Sequence, residues 1–162
     1  MIPEIKKILY ATDLSGSAKH AFNYAATIAG KFDATIIVLH VVETIPSNTE
    51  WQIVEYLGQD RWKEIQEKKK QDFIESVKKN LNNFCDEISS NMKSCPFIVE
   101  EILIKEGIPV DEIIKTADSK NCDMVIMGTH GYGMLTDALI GSTARRVVRR
   151  SKKPVMVIRR PR

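Results

Sequence analysis

Short apolar runs alternate along this chain with stretches in which apolar residues recur every three or four positions. The runs hold few polar residues, which is typical of strands that are covered on both faces. The recurring pattern is that of helices with one buried face. The sequence therefore predicts five β-strands, at residues 5–10, 34–42, 97–105, 124–127 and 155–158.

Four helices are predicted in the intervals between these strands. The first is capped by Ser15 or Ser17, and Gly30 is expected to end it, because serine oxygens accept free N–H groups at a helix start and glycine suits a helix end. The second covers residues 60–91, the third follows the third strand, and the fourth covers residues 142–151. Strand–helix–strand crossovers make the connected strands parallel, so we predict an α/β fold with a parallel sheet.

One region interrupts this alternation. Residues 43–50 include Pro46 and are predicted to form a loop, and a short apolar patch follows at residues 51–57. This patch can cover the edge of the sheet, close over a ligand or meet a partner protein. The sequence alone does not choose between these three roles.

Composition limits the classes of protein to which the chain can belong. Its 162 residues are enough for one domain with a sizeable core, and apolar and charged fractions of 43% and 28% are ordinary for a soluble globular protein. A formal net charge of +3 is too small to indicate nucleic-acid binding. No apolar run reaches membrane-spanning length, no signal peptide is recognisable, and three cysteines without metal-ligand spacing fit reduced thiols, so we expect a cytoplasmic protein.

The strongest chemical signal lies near the C-terminus, where the fourth strand runs into the pattern Gly128-x2-Gly131-x9-Gly141-Ser142 and a new helix. Glycines let backbone N–H groups approach an anion without an intervening Cβ. The helix start adds free N–H groups and the positive end of the helix dipole. A strand, a glycine-containing loop and a helix start in this order predict a phosphate-binding loop.

This spacing after an apolar strand resembles the nucleotide motif of the universal stress protein family, in its ATP-binding branch. The resemblance continues in segments spread along the chain, at residues 7–15, 39–42, 107–114 and 153–158. It implies a single domain of residues 1–162 with a variable insertion at about residues 44–70.

The same resemblance implies a Rossmann-like fold, similar to that of the adenine nucleotide alpha hydrolases. In that fold an open five-stranded parallel sheet of order 3-2-1-4-5 has helices on both faces. The ligand of such a sheet lies beyond the carboxyl ends of strands one and four, where the winding direction reverses. Asp13 follows strand one and Gly128 ends strand four, so the expected crevice and the glycine motif coincide.

The ligand that the resemblance implies is ATP, or ADP or AMP, accompanied by Mg²⁺ or Mn²⁺. Its phosphates are expected to contact the N–H groups of Gly131, Ser142 and Thr143. Asp13 either accepts hydrogen bonds from the ribose or the adenine, holds the metal through water, or caps the turn that follows it; no residue is expected to bind the metal directly. The predicted binding residues are Ala11, Thr12, Asp13, Val41, Met127, Gly128, His130, Gly131, Gly141, Ser142, Thr143 and Ala144.

Within this set, the resemblance assigns the adenine ring to the backbone of Val41 and to the side chains of Ala11 and Met127. Family members often carry proline where this chain has Ala11. That difference loosens the turn slightly without removing a contact group. His130 can reach a phosphate or the ribose, but it is a poor candidate for a catalytic base.

A nucleotide-dependent regulator or switch in the stress response is the function that the resemblance implies, and an enzyme is not expected. The chain has no Walker motif and no pairing of a positioned base with a charged clamp, as fast phosphoryl transfer requires. The alternative is a slow ATP hydrolase or an adenylate-forming enzyme. Enzymes of the related adenine nucleotide hydrolase group need a Ser-Gly-Gly-x-Asp-Ser loop after strand one. At that position residues 13–17 read Asp-Leu-Ser-Gly-Ser and lack this motif. The other two histidines, His20 and His40, are expected to be ordinary packed or surface residues.

Two kinds of macromolecular partner follow from the C-terminal part of the chain, and no membrane partner is expected. Residues 155–158 form an edge strand in the implied order, and an unprotected edge invites pairing with another chain. The resemblance implies a homodimer joined there by antiparallel pairing. Nucleic acid is the less favoured partner, because the arginines of the last helix lie on its outer side as on any surface helix, at Arg145, Arg146, Arg149 and Arg150.

Overall fold

The computed structural model of the chain describes residues 2–89, 98–130 and 140–161. Its strands are β1 (Lys7–Ala11), β2 (Thr35–Glu43), β3 (Ile98–Gly107), β4 (Met124–Gly128) and β5 (Val155–Ile158). They form one sheet in the order β3-β2-β1-β4-β5, and every neighbouring pair is parallel. The predicted parallel sheet and its strand order are confirmed.

The described residues contain five helices where the sequence predicts four. They are α1 (Gly16–Phe32), α2 (Ser47–Leu57), α3 (Gln59–Ser89), α4 (Pro109–Ser119) and α5 (Ser142–Arg150). The prediction of a loop at residues 43–50 is wrong in its second half, because α2 begins at Ser47. The carbonyl of Pro46 accepts the N–H groups of Thr49 and Glu50 at 2.9 and 3.0 Å. The proline that suggested a loop therefore opens a helix.

Helix α1 starts as predicted and ends later than predicted. The hydroxyl of Ser15 accepts the Ala18 N–H, so Ser15 is the cap. Gly30 does not end the helix, which continues to Phe32. Asp33 follows in the left-handed conformation with φ of 53°, and its N–H reaches the carbonyl of Ala29. Aspartate tolerates that conformation better than most residues, so it serves as the helix stop in place of the glycine.

Alternate residues of the central strands enter two separate cores. In β1, Ile8 and Tyr10 pack under α1 and α3, whereas Leu9 and Ala11 pack under α4 and α5. Both faces of the sheet are therefore covered by helices, as predicted. Leu9 is fully buried, and truncating such a residue to alanine costs about 2–5 kcal/mol.

The α2 helix lies outside both cores. None of its described side chains is buried, and its Trp51 and Tyr56 are 64% and 88% exposed. It is joined to α3 by a hydrogen bond from the Trp62 indole N–H to the Glu50 carboxylate, at 3.2 Å. Residues 44–70, which the sequence predicts to be a variable insertion, thus contain α2 and the first part of α3. Among the helices in the described part of the chain, none is long and apolar enough to cross a membrane.

A carboxylate fixes the amino end of the central strand. Asp123, just before β4, accepts the backbone N–H groups of Lys6 and Lys7, each at 2.8 Å. On the other side of β1, the Lys7 ammonium and the Thr35 hydroxyl both bond to Glu100, which lowers the pKa of that carboxyl. These contacts hold β1 in register with β2 and β4 at the end of the sheet opposite the site.

We predict that Asp123→Ala lowers the free energy of unfolding by about 1–3 kcal/mol, because it removes two hydrogen bonds to a charged acceptor. Asp123→Asn keeps an oxygen in the same place and should lose less than half as much. Urea denaturation followed by circular dichroism measures both variants. Equal losses in the two variants would contradict a role for the acceptor oxygen.

Candidate functional site

A cleft of about 400 Å³ opens beyond the carboxyl ends of β1 and β4, where the strand order reverses. Residues that follow β1 and β4, the end of β2 and the start of α5 form its walls. Eleven of the twelve predicted site residues line it, namely Ala11, Thr12, Asp13, Val41, Met127, Gly128, His130, Gly141, Ser142, Thr143 and Ala144. The twelfth, Gly131, lies outside the described residues. Whether the eleven bind a ligand stays a prediction.

The turn after β1 is held by its own side chains. The Thr12 N–H donates to the Leu39 carbonyl at 2.9 Å, and the Thr12 hydroxyl oxygen accepts the N–H of Leu14 at 3.0 Å. Asp13 Oδ1 accepts the N–H of Ser15 at 2.9 Å. Leu14 takes a left-handed conformation with φ of 62°, which sharpens the turn. The turn leads directly into α1.

Asp13 takes the capping role, one of the roles that the sequence left open. Its Oδ1 caps the turn through Ser15, as the local alternative predicts. The residue also lines the cleft and is only partly buried. Its Oδ2 has no hydrogen-bond partner among the described residues, so this oxygen is available to a ligand while Oδ1 keeps the turn in place.

Hydrogen bonds join the two loops of the cleft. The Ser15 hydroxyl donates to the His130 carbonyl at 3.2 Å, and the hydroxyls of Ser17 and Thr129 lie 3.4 Å apart. The Thr129 carbonyl accepts the N–H of Gly141 at 2.7 Å. The turn after β1, the residues after β4 and the start of α5 are therefore one connected unit.

Two glycines of the motif are required by packing. A Cβ on Gly128 would lie 2.8 Å from the Ser17 carbonyl carbon and 2.9 Å from the Ala18 nitrogen, because α1 crosses directly over it. A Cβ on Gly141 would lie 2.7 Å from the Thr129 carbonyl oxygen. The sequence analysis explained these glycines by the close approach of backbone N–H groups to an anion. The structure gives each of them a packing reason that holds with or without a ligand.

The start of α5 has the chemistry of an anion site. Gly141 is the N-cap and offers no side chain to the free N–H groups of the first turn, which contains no acidic residue. The first N–H groups of a helix have no partner within the helix, and the helix dipole favours negative charge there. Ser142 and Thr143 add hydroxyls at this wall of the cleft.

The two histidines of the cleft are held differently. His130 has Nδ1 at 2.8 Å from the Thr129 hydroxyl, and its buried Nε2 has no hydrogen-bond partner among the described residues. His40 donates from Nδ1 to the Thr12 carbonyl at 2.9 Å, and its ring stacks on that of Phe73 with centroids 4.2 Å apart. The sequence predicts a packed or surface role for His40. It is packed as predicted, but it also lines the cleft.

Other lining residues were missed by sequence reasoning, namely Ala18, Leu39, Glu43, Pro109, Ile113 and Thr129. Leu39 and Glu43 belong to the carboxyl half of β2, and the rule that ligands lie beyond strand ends would have included them. Pro109 and Ile113 come from α4, whose position over the cleft is known only once the sheet is assembled.

Side-chain charges in the cleft are negative rather than positive. The described lining includes the carboxylates of Asp13 and Glu43 and no lysine or arginine. Within the described ranges, no group of three or more His, Cys, Asp or Glu residues is arranged to hold a metal ion. The positive potential for an anion therefore comes from backbone N–H groups.

Comparison with known proteins gives a consistent relationship over nearly the whole chain. Residues 4–159 match the model of the Universal stress protein family. The chain is 30% identical over 155 residues to Universal stress protein MJ0577 of Methanocaldococcus jannaschii, which covers 96% of this chain and 95% of that one. The solved structure of MJ0577 aligns with a TM-score of 0.62 at 27% identity and covers 99% of each chain.

Two further solved structures contain adenine nucleotides. A universal stress protein in complex with cAMP aligns with a TM-score of 0.58 at 22% identity, over 97% of this chain and 98% of that one. A universal stress protein from Archaeoglobus fulgidus in complex with dAMP aligns with a TM-score of 0.55 at 23% identity, over 95% and 97%. At these identities the likeness shows the shared fold.

We predict that Gly128→Ala lowers the free energy of unfolding by about 1–3 kcal/mol, because its Cβ must displace the backbone of α1. Gly16→Ala is the matched control. The nearest neighbour of its Cβ is the flexible Arg160 side chain, and alanine is the better helix former, so stability should change by less than about 0.5 kcal/mol. Thermal unfolding of both variants checks this, and equal destabilisation would contradict the packing argument.

Proposed function

The chain belongs to the universal stress protein family, and from that premise we propose that its cleft binds an adenine nucleotide. ATP is the proposed ligand, with ADP or AMP as the alternatives. Binding would make the protein a nucleotide-dependent regulator of the cytoplasmic stress response. The observation that carries the proposal is the uncapped start of α5, which faces the cleft beside the end of β4.

The shape and polarity of the cleft support this ligand. A volume of about 400 Å³ lies in the range of small-molecule sites. Ala11, Val41 and Met127 give the cleft apolar lining, which suits a flat purine ring. The start of α5 also lines it and suits phosphates. We assign the hydrogen-bonding edge of the adenine to the backbone of Val41, at the end of β2.

Asp13 is proposed to read the ribose or to hold a cation through water. Its free Oδ2 can accept a hydrogen bond from a ribose hydroxyl. Because the described lining offers no lysine or arginine, the charge of a triphosphate is not offset by a side chain. A Mg²⁺ or Mn²⁺ ion bound to the phosphates would supply that charge and would enter with the nucleotide.

Relatives of known structure support the choice of an adenine nucleotide. One family member is solved with cAMP and another with dAMP, and this chain shares their fold over more than nine-tenths of its length. The two ligands have in common an adenine base and a single phosphate. We therefore expect the adenine and the first phosphate to be the parts of the ligand that this cleft recognises first.

A regulator is favoured over an enzyme on the geometry of the described residues. Fast phosphoryl transfer needs a base placed on the nucleophile and a cationic clamp on the phosphates. The described lining contains no cationic side chain of that kind, and Nδ1 of His130 is engaged by Thr129. The second candidate is a slow ATP hydrolase or an adenylate-forming enzyme. Rapid release of AMP or of phosphate by the purified protein would favour it.

The outer edge of β5 is the proposed homodimer interface. The carbonyl of Pro154 accepts the N–H of Val125 in β4, and that of Ile158 accepts the N–H of Thr129 just after β4. Since backbone groups of alternate residues face the same side of a strand, those of Val155 and Val157 face away from β4. In the described part of the chain no strand pairs with this edge, and antiparallel pairing with a second copy would satisfy it.

The nucleotide proposal predicts that Asp13→Asn weakens ATP affinity by about tenfold or more, because a hydrogen bond to a charged acceptor is lost. Asparagine can keep Oδ1 as the acceptor for the Ser15 N–H, so the turn should survive. Isothermal titration calorimetry with Mg²⁺ measures the affinity, and we expect about one nucleotide per wild-type chain.

The matched control for this measurement is Asp118→Asn. It removes the same charge from an exposed position outside the cleft, and its affinity should equal that of the wild type. Failure of the wild type to bind any adenine nucleotide would overturn the proposed function. Equal weakening by both substitutions would leave binding intact but reject the role of Asp13.

The dimer proposal predicts that Val157→Pro converts the protein to monomers. Proline removes one outward N–H and is tolerated on an edge strand whose N–H faces solvent, so the fold should be kept. Val157→Ala retains that N–H and should remain dimeric. Sedimentation velocity gives the mass of each variant, and a monomeric wild type would contradict the proposal.

A further inference from the structure

His40, in β2, contacts both the turn after β1 and the Phe73 ring of α3. Its Nδ1 lies 2.9 Å from the Thr12 carbonyl oxygen. A carbonyl oxygen only accepts, so Nδ1 must carry the hydrogen. On its other side the ring lies almost parallel to that of Phe73, at 17° and with centroids 4.2 Å apart. One side chain thus touches both elements.

Thr12 is the residue through which His40 can act on the cleft. Its carbonyl is held by His40, its N–H by the Leu39 carbonyl and its hydroxyl oxygen by the Leu14 N–H. All three bonds hold Thr12, the residue that precedes Asp13. Without His40, the partly buried Thr12 carbonyl would lose this hydrogen-bond donor. The turn would then keep two of the three hydrogen bonds to Thr12.

Phe73 connects this anchor to the rest of α3. The helix begins at Gln59, directly after α2 and Gly58, and extends past Phe73 to the buried Val77. Phe73 and Val77 are one helical turn apart and pack in the same core beneath α1. A displacement of the His40 ring would therefore be felt by α3, whose amino end follows α2.

We propose that His40 is a positioning residue that holds the Thr12–Asp13 turn for the nucleotide and couples that turn to α3. This inference rests on the proposed function for its ligand. It adds the route by which occupancy of the cleft reaches a surface of the protein. His40 touches the turn through a hydrogen bond and α3 through a ring stack, so substitutions can separate the two links.

The hydrogen-bond link is tested in the nucleotide-free protein. His40→Phe keeps an aromatic ring against Phe73 and removes the donor, whereas His40→Asn places an amide N–H where Nδ1 lies. Hydrogen exchange followed by NMR reports the Leu14 and Ser15 amides, which are the N–H groups bonded within the turn. We expect exchange about two- to tenfold faster in His40→Phe, with His40→Asn close to the wild type.

The same variants report on ligand binding. ATP affinity should fall by about two- to tenfold in His40→Phe and recover in His40→Asn. His40→Gln is the matched control, because its amide N–H lies where Nε2 lies in histidine and cannot reach the Thr12 carbonyl in the same way. Asparagine and glutamine have similar polarity. If His40 had a merely structural role, ATP affinity would therefore not recover in His40→Asn and stay low in His40→Gln.

The ring link is tested with Phe73→Leu, which removes the stack and leaves the hydrogen bond. Exchange of the Leu14 and Ser15 amides should stay at the wild-type rate. The methyl signals of Val77, recorded by NMR, should shift when ATP binds to the wild type and should shift by less than half as much in Phe73→Leu.

Two results would overturn the inference. One is unchanged exchange at Leu14 and Ser15 in His40→Phe, and the other is equal exchange in His40→Asn and His40→Phe. Both are read without nucleotide, so they remain decisive if the wild type fails to bind ATP, an outcome that would overturn the proposed function alone. A full Val77 response in Phe73→Leu would reject the coupling to α3.

Discussion

The contact between the Gly141 N–H and the Thr129 carbonyl is the constraint on which the site depends. At 2.7 Å it sets the point at which α5 begins, and the absence of a Cβ on Gly141 permits that closeness. The same Thr129 donates its N–H to the Ile158 carbonyl, so β4, β5 and α5 meet at one residue. From that point the uncapped helix start faces the carboxyl ends of β1 and β4. A shift of α5 by a few tenths of an ångström would change the geometry of every N–H group that the cleft offers.

Much of this arrangement could be predicted from the sequence, because its physical causes are local. Apolar runs gave the five strands, and the last was placed at its observed bounds, Val155–Ile158. The glycine pattern located the described cleft residues Gly128, His130 and 141–144, and the structure adds a packing reason for Gly128 and Gly141. What could not be predicted depends on tertiary contacts. The role of His40 depends on its contacts with Thr12 and Phe73, which only the folded chain brings together. Helix α2 has no buried residue, so it lacks the apolar stripe by which a helix is predicted from sequence.

The cleft is better suited to hold a charged ligand than to react with it. Its positive potential comes from fixed backbone dipoles, and its described side-chain charges are carboxylates. Such a site would hold the proposed nucleotide together with a cation, and its described lining has no mobile cationic group to follow charge as it moves between atoms. The proposed regulator therefore needs a route from the occupied cleft to a surface. The Thr12–His40–Phe73 contacts supply one, and the exposed α2–α3 pair is the part of the molecule that this route reaches.

The central claim, that this chain is an adenine-nucleotide binder, is tested most directly by what the purified protein carries. The protein is isolated without added nucleotide, denatured, and the released small molecules are identified and quantified by mass spectrometry. The account predicts ATP, ADP or AMP at close to one per chain. A protein that releases no nucleotide, and that also takes up none after incubation with ATP and Mg²⁺, would contradict the claim and leave the cleft without its proposed ligand.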